Sequence, residues 1–354
     1  MEKIDSLFYD SIDLLKRMIE IPSHSGEEKE VADMLEAYMR NNNLSPERKG
    51  NNIWITSPGF DVNKPTILLN SHVDTVKPVA AWSVDPYKAV ESEGKITGLG
   101  SNDAGASLVS LLHAFILLTK KAQSYNLIFL ASCEEEISGK KGVESVLPEL
   151  PPVSFGLIGE PTDMNPAIAE KGLMVLDCCV HGKSGHAAGE EGENAIYKAI
   201  SAINWFKSYK FPKGSDLLGK VKMSVTMIQS GTQHNVIPDL CTFVVDVRSN
   251  EHYSNIEILE FITQNCGCEV KARSTRLNPS GISPEHPVVQ RAVMLGKTAF
   301  GSPTLSDQAL MPFPTLKIGP GQSLRSHTAN EFVGTNEIRE AIEIYIRLLN
   351  NLQI

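Results

Sequence analysis

The chain is 354 residues long with a formal net charge of −9 and a pI near 5.6, an acidic balance without basic clusters that excludes a nucleic-acid partner. That length exceeds what one hydrophobic core usually serves, so two domains are expected, and 42% hydrophobic with 21% charged residues suits a soluble globular protein. The N-terminus MEKIDSLFYD lacks an apolar h-region, no apolar stretch approaches bilayer length, and Cys133, Cys178, Cys179, Cys241, Cys266 and Cys268 form no C-x-x-C pair; a cytoplasmic chain with reduced thiols, no signal peptide and no membrane partner is expected.

Apolar residues at helical spacing predict helices over 7–21 and 27–39, the second with Ser25 as N-cap and Glu28 three residues on. Strands follow at 52–56 and 66–71, the latter running into Ser71-His72-Val73-Asp74-Thr75-Val76. Strand alternation puts His72 and Asp74 on one face. A carboxylate beside a strand-end imidazole fixes a metal-binding histidine and raises its basicity; the plain alternative is a solvated pair. A short strand at 95–97 precedes Gly98-Leu99-Gly100-Ser101-Asn102-Asp103-Ala104-Gly105 and an apolar helix at 106–118. A dinucleotide loop would have glycine where Asp103 stands, and a carboxylate there would repel a pyrophosphate. Asp103 is then a ligand aimed outward, or a helix N-cap.

A strand at 126–133 ends in Cys133-Glu134-Glu135-Glu136. Three adjacent carboxylates repel unless cations or solvent neutralise them, so this is a solvated acidic loop or a ligand beside a general base. The strand at 155–159 ends in Glu160 before Pro161, a further ligand or a turn glutamate.

From Lys171-Gly172 the pattern changes to strand (173–181), helix (194–209), strands (221–230 and 241–248), helix (255–265) and strand (269–274). This βαββαβ order is ferredoxin-like, an antiparallel sheet with two helices on one face. A Pro/Gly-rich stretch at 278–284 closes it, and a helix (288–300), a strand (315–318) and a last helix (337–352) read as the first domain resuming. The expected organisation is an α/β catalytic domain in two parts, 1–171 and 281–354, with an inserted α+β domain at 172–280. Gly319-Pro320-Gly321 leads to His327 in Ser326-His327-Thr328-Ala329-Asn330-Glu331. His72, Asp103, the Glu134-Glu135-Glu136 run, Glu160 and His327 all come after strands, where sites form in open α/β sheets. A thiolate-free His/carboxylate set suits zinc or a similar dication, and five ligands fit two metals about 3.5–4 Å apart better than one open catalytic zinc.

The ordered motifs SHVDTV, GLGSNDAGA, EEE, GEPT and GPG-x5-HTANE resemble the dinuclear zinc peptidases and deacylases, which include acetylornithine deacetylase, succinyl-diaminopimelate desuccinylase, aminoacylase and carboxypeptidases. The resemblance covers essentially the whole chain. It implies a phosphorylase/hydrolase-like zinc-exopeptidase domain carrying a lid and dimerisation domain. It also implies two Zn2+ or Co2+ ions, one on His72 and Glu160, the other on Glu136 and His327, bridged by Asp103. Glu135 would be the general base, Asp74 would orient His72, and the Asp103–Ala104 peptide would be cis. Family members usually have Asp-Glu-Glu where Glu134-Glu135-Glu136 stands here, a change that leaves base and ligand in place.

In the middle domain, Ser184-Gly185-His186-Ala187-Ala188 resembles the lid histidine motif, Gly231 to Pro238 the lid asparagine motif around Asn235, and Val247-Arg248 the arginine that holds a substrate carboxylate. By resemblance the protein is a homodimer through this domain, with His186 and Asn235 acting in trans; without it they are a loop histidine, a turn former and a strand-end charge. His24, His113, His181, His234, His252 and His286 match no ligand position and read as structural or solvated. The implied reaction is hydrolysis of an N-acyl amino acid, N-acetyl- or N-succinyl-ornithine or -citrulline in arginine biosynthesis. Glu160, where aminopeptidase-type relatives typically carry Asp, favours deacylase or carboxypeptidase-like chemistry, and the run from Gly319 to His327 has the length typical of acetylornithine deacetylase rather than the shorter desuccinylase form. Leu305-Ser306-Asp307 resembles the desuccinylase loop instead. Arg325 is a candidate cation for a dicarboxylic acyl tail, or a solvated loop arginine. A succinyl-diaminopimelate desuccinylase and a di- or tripeptidase are the alternatives within the family. A non-catalytic metal-binding relative is the alternative outside it, against which the intact Glu135 and ligand set speak.

Overall fold

The apolar runs Asn126–Ser132, Thr66–His72, Phe155–Ile158 and Thr315–Lys317 lie side by side, in that order, as the parallel centre of one sheet in the computed structural model, which describes residues 2–354. Asn52–Thr56 and then Glu47–Lys49 extend it antiparallel. Every residue of Thr66–His72 and Asn126–Ser132 is buried, because both faces of the sheet are covered. Ile67, Leu69, Leu127 and Phe129 join one core with the helices Glu2–Ile19, Ala106–Leu118 and Thr335–Leu349. Leu68, Ile128 and Leu130 pack the other way, onto Trp54, Val143, Val146 and Met311.

The parallel strands end level. His72 pairs with Ser132, and Lys317 with Ile158, so whatever follows each strand meets at one sheet edge. Gly159 keeps that edge tight: a Cβ there would come within 2.6 Å of Leu111 Cδ1 and 2.9 Å of Ser107 Cβ on the central helix. Ser101–Leu118 does reach bilayer-spanning length, with mean hydropathy 1.3, contrary to the expectation that no stretch approaches it; 83% of it is buried inside the fold. A helix surrounded by core is apolar all round.

Several elements differ from expectation. The second helix is Lys29–Asn41, and Ser25 does not cap it. Glu47–Lys49 adds an edge strand, and the helix expected to reach residue 300 is Pro287–Met294, followed by Gly296 at φ +83°.

The chain divides into two units: Met1–Ile168 with Gly281–Phe300 and Ser306–Ile354, and Ala169–Ser280 with Gly301–Leu305. In the second unit the strands run in the order Lys222–Ser230, Leu240–Ser249, Gly172–His181, Glu269–Ala272, all antiparallel. Met174, Leu176, Cys178 and Val180 alternate inward and share a core with Cys241, Phe243, Val245, Val247 and the helices Ala195–Ser208 and Asn255–Asn265. The intervening Asp177, Cys179 and His181 face the open side. This is the ferredoxin-like arrangement, and the whole has the expected α/β class with an α+β insert. A two-strand ribbon, Gly185–His186 against Val236–Ile237, stands beside the sheet.

Candidate metal centre

His72 closes its strand with Nδ1–H donating to the Asp74 carbonyl at 2.8 Å. Its Nε2 lone pair therefore faces Asp103 Oδ1 at 3.3 Å, Glu160 Oε1 at 3.6 Å and Glu135 Oε2 at 4.0 Å. His327 Nε2, on the loop after Thr315–Lys317, lies 2.9 Å from Glu136 Oε2 and 3.6 Å from Asp103 Oδ2. One aspartate thus turns its two oxygens toward two different imidazoles. Ligands about 2.0–2.1 Å from a tetrahedral zinc sit about 3.4 Å from each other, and these separations bracket that value. Asp103 occupies a non-helical kink just before the central helix, and its peptide bond to Ala104 is cis.

The electrostatics also suit a pair of dications. Burial pushes the Glu160 carboxyl up to about 8, with Asp103 adding to the shift and His72 opposing it. Glu135 is raised well above the usual carboxylate range by burial and by Glu160, Asp307 and Glu136. The Glu136 hydrogen bond lifts His327 to about 9. His72 is raised because Asp103 and Asp74 outweigh its burial, and Asp103 is lowered because His72 outweighs its own. Carboxylates holding protons and imidazoles gaining them mark a buried site short of positive charge. Two dications would supply that charge, and the donor set fits them.

Asp74 contacts His72 through its main chain. Its backbone carbonyl holds His72, while Oδ1 stands 3.6 Å from the ring. The carboxylate accepts from Ser25 Oγ (2.6 Å) and from the N–H groups of Glu135 (3.0 Å) and Glu136 (3.1 Å). Ser25 is therefore a support of the site, and Glu28 satisfies the N–H groups of Gly26 and Glu134. Two further supports had no sequence signal. Glu331, buried, accepts from the N–H groups of Gly100, Asn102 and Asp103 at 3.2, 2.8 and 2.9 Å. Burial and the Asp103 charge push its carboxyl up to about 7. Asn102 ties the same kink to the His327 loop through Gln322 and Ser326. Arg325 is not brought into the cluster: its guanidinium donates to Glu337 at 2.7 Å and lies 4.5 Å over the Phe332 ring.

The second unit carries His186, Asn235 and Arg248. The Ala188 N–H donates to His186 Nδ1 at 3.1 Å, which leaves the ring proton on the exposed Nε2. The Ala187 N–H donates to the Asn235 carbonyl at 3.0 Å, joining the two loops. Arg248 gives Nε and one terminal nitrogen to the two oxygens of Asp246, at 2.9 and 3.1 Å.

A sequence model of peptidase family M20/M25/M40 matches residues 68–351. The LysW-lysine/LysW-ornithine hydrolase of Sulfurisphaera tokodaii is 30% identical, covering 96% of this chain and 95% of its own. The succinyl-diaminopimelate desuccinylase of Corynebacterium glutamicum is 26% identical over 97% of both chains. A tripeptidase structure from Staphylococcus aureus superposes with a TM-score of 0.79 at 20% identity, covering 97% of this chain and 98% of that one.

Proposed function

Given that the chain belongs to peptidase family M20/M25/M40, and so to the metal-dependent hydrolases, we propose that it cleaves the amide bond of an N-acyl amino acid. The substrate on this reading is N-acetyl- or N-succinyl-ornithine or -citrulline of arginine biosynthesis. The observation that carries the chemistry is Asp103, one oxygen toward His72 and the other toward His327. The acyl amino-acid choice is supported by a desuccinylase and a LysW-ornithine hydrolase among the relatives.

Two ions, zinc on this reading, held by His72, Glu160 and Asp103 and by Asp103, Glu136 and His327, would polarise the carbonyl and acidify water to near neutrality. Glu135 takes the proton of the attacking water and passes it to the departing amine. His186, its proton already on Nε2, donates to the oxygen that gains charge, with Asn235 on the neighbouring loop. The fork of Arg248, kept flat against Asp246, receives the substrate carboxylate.

We further propose a homodimer through the second unit in which His186 and Asn235 serve the other subunit's site. Lys222–Ser230 ends its sheet with Met227 and Ile228 exposed, and Tyr197 and Ile200 are exposed on the neighbouring helix. An apolar sheet edge of this kind invites strand pairing. Six free cysteines suit the reducing cytoplasm.

The test is a kcat/KM panel of acetyl- and succinyl-ornithine, -citrulline and -diaminopimelate beside free-amine di- and tripeptides. An acylated ornithine or citrulline should lead. A free-amine peptide in first place would overturn the deacylase reading, and succinyl-diaminopimelate in first place would overturn the ornithine/citrulline assignment.

A further inference from the structure

The open face of the second unit's sheet holds a set of donors unrelated to the carboxylate cluster. Cys179 and His181 are two residues apart on Gly172–His181 and so share that face. Glu269, the first residue of the four-residue edge strand Glu269–Ala272, is the direct cross-strand partner of Cys179. Directly opposed residues hold their Cβ atoms about 4.5–5.5 Å apart, and the diagonal neighbour remains within reach of a long side chain. Sheet register, rather than a flexible loop, therefore sets this triad. Its donor atoms lie within 4.8 Å of one another, with Cys179 Sγ 3.3 Å from His181 Nε2 and His181 Nε2 3.6 Å from Glu269 Oε2.

We propose that Cys179, His181 and Glu269 form a third divalent-metal site, one that takes zinc through a thiolate, an imidazole and a carboxylate. Tetrahedral zinc with about 2.3 Å to sulfur and 2.0–2.1 Å to nitrogen or oxygen places S and N about 3.5 Å apart and N and O about 3.4 Å apart. The two observed separations stand within a few tenths of an ångström of these. A mixed S/N/O set favours zinc over magnesium or calcium. Three protein ligands leave one position for water, and the site has room for it: Cys179 and Glu269 line an open groove of about 550 Å³. Asp177, the other carboxylate on this stretch, is already held by a bidentate contact from Arg273, which leaves Glu269 as the oxygen donor. The ion would clip the short edge strand to its neighbour. Metal binding exchanges the thiol proton for the ion, so one proton leaves Cys179 as the metal–sulfur bond forms.

The proposal does not depend on the substrate assigned above, and its readout is blind to the catalytic cluster, which has no thiolate. Full-length enzyme loaded with two equivalents of zinc is titrated with Co2+, and the near-ultraviolet thiolate-to-cobalt charge-transfer absorption is recorded. The expected result is a band that saturates at one further equivalent and is abolished by Cys179→Ser. His181→Ala and Glu269→Gln should each weaken binding at least roughly tenfold, the lower bound for disturbing even an outer-shell partner. All three variants should retain wild-type hydrolytic activity. No thiolate band in the wild type, or a band that survives Cys179→Ser, overturns the proposal.

Discussion

The carboxylate of Asp74 accepts from Ser25 Oγ and from the backbone of Glu135 and Glu136, while its own carbonyl takes the His72 proton. One residue thereby sets the tautomer of a proposed ligand and the position of the proposed base. Arg325 is a contrasting case. Its adjacency to His327 in sequence suggested a substrate contact, yet the guanidinium is paired with Glu337 and stacked on Phe332. A partly buried ion pair and a cation–π contact together contribute about 1–2 kcal/mol. Arg325→Ala should accordingly lower the melting temperature by a few degrees and change KM for acetylated and succinylated substrates equally. A rise in KM confined to the succinylated substrate, measured side by side, would return Arg325 to the substrate site.

Among the elements, the loop from Gly98 to Gly105 depends on Glu331 for three of its backbone N–H groups. A glutamine offers one acceptor oxygen where the carboxylate has two, and its amide would meet N–H groups head on. Leaving a buried donor unpaired costs about 1–3 kcal/mol. Glu331→Gln should therefore release metal more easily, by roughly 10–100-fold in affinity, with Glu331→Asp intermediate. Unchanged metal content after dialysis against a weak chelator would count against this role. None of it was legible in the sequence, because Glu331 and Asn102 are 229 positions apart and a bond between two loops leaves no periodicity. The strands were legible for the opposite reason: burial on both faces writes a continuous apolar run, and His72 and Glu160, two of the proposed ligands, stand at the strand ends. Ser25 lies between these cases. Its pattern with Glu28 is a local capping signature, but Asp74 takes the hydroxyl and the helix begins at Lys29. His181 reads from sequence as structural or solvated, because its companions are a residue two positions away and one on a neighbouring strand, a grouping visible only once register is known.

For the molecule as a whole, the proposed dimer makes a sharp prediction. Glu135→Gln keeps an intact His186, and His186→Ala keeps an intact Glu135. Either variant alone should lose activity by about 10²–10⁴-fold, the usual range for a lost proton-transfer group. Mixed subunits, dissociated and reassociated, should recover activity in the hybrid if the site is shared. A mixture no more active than its components would show that each subunit works with its own lid. The proposed bridging role of Asp103 also has a consequence in time. Its two oxygens address His72 and His327, and the whole second unit is encoded between them. On the ribosome, domains fold from the N-terminus as they emerge, so a nascent chain can assemble the His72 side while the His327 side is still untranslated. The cluster is completed only once His327 has been synthesised, and a product truncated anywhere before residue 327 lacks half of the proposed metal-binding set however well its first strands have folded.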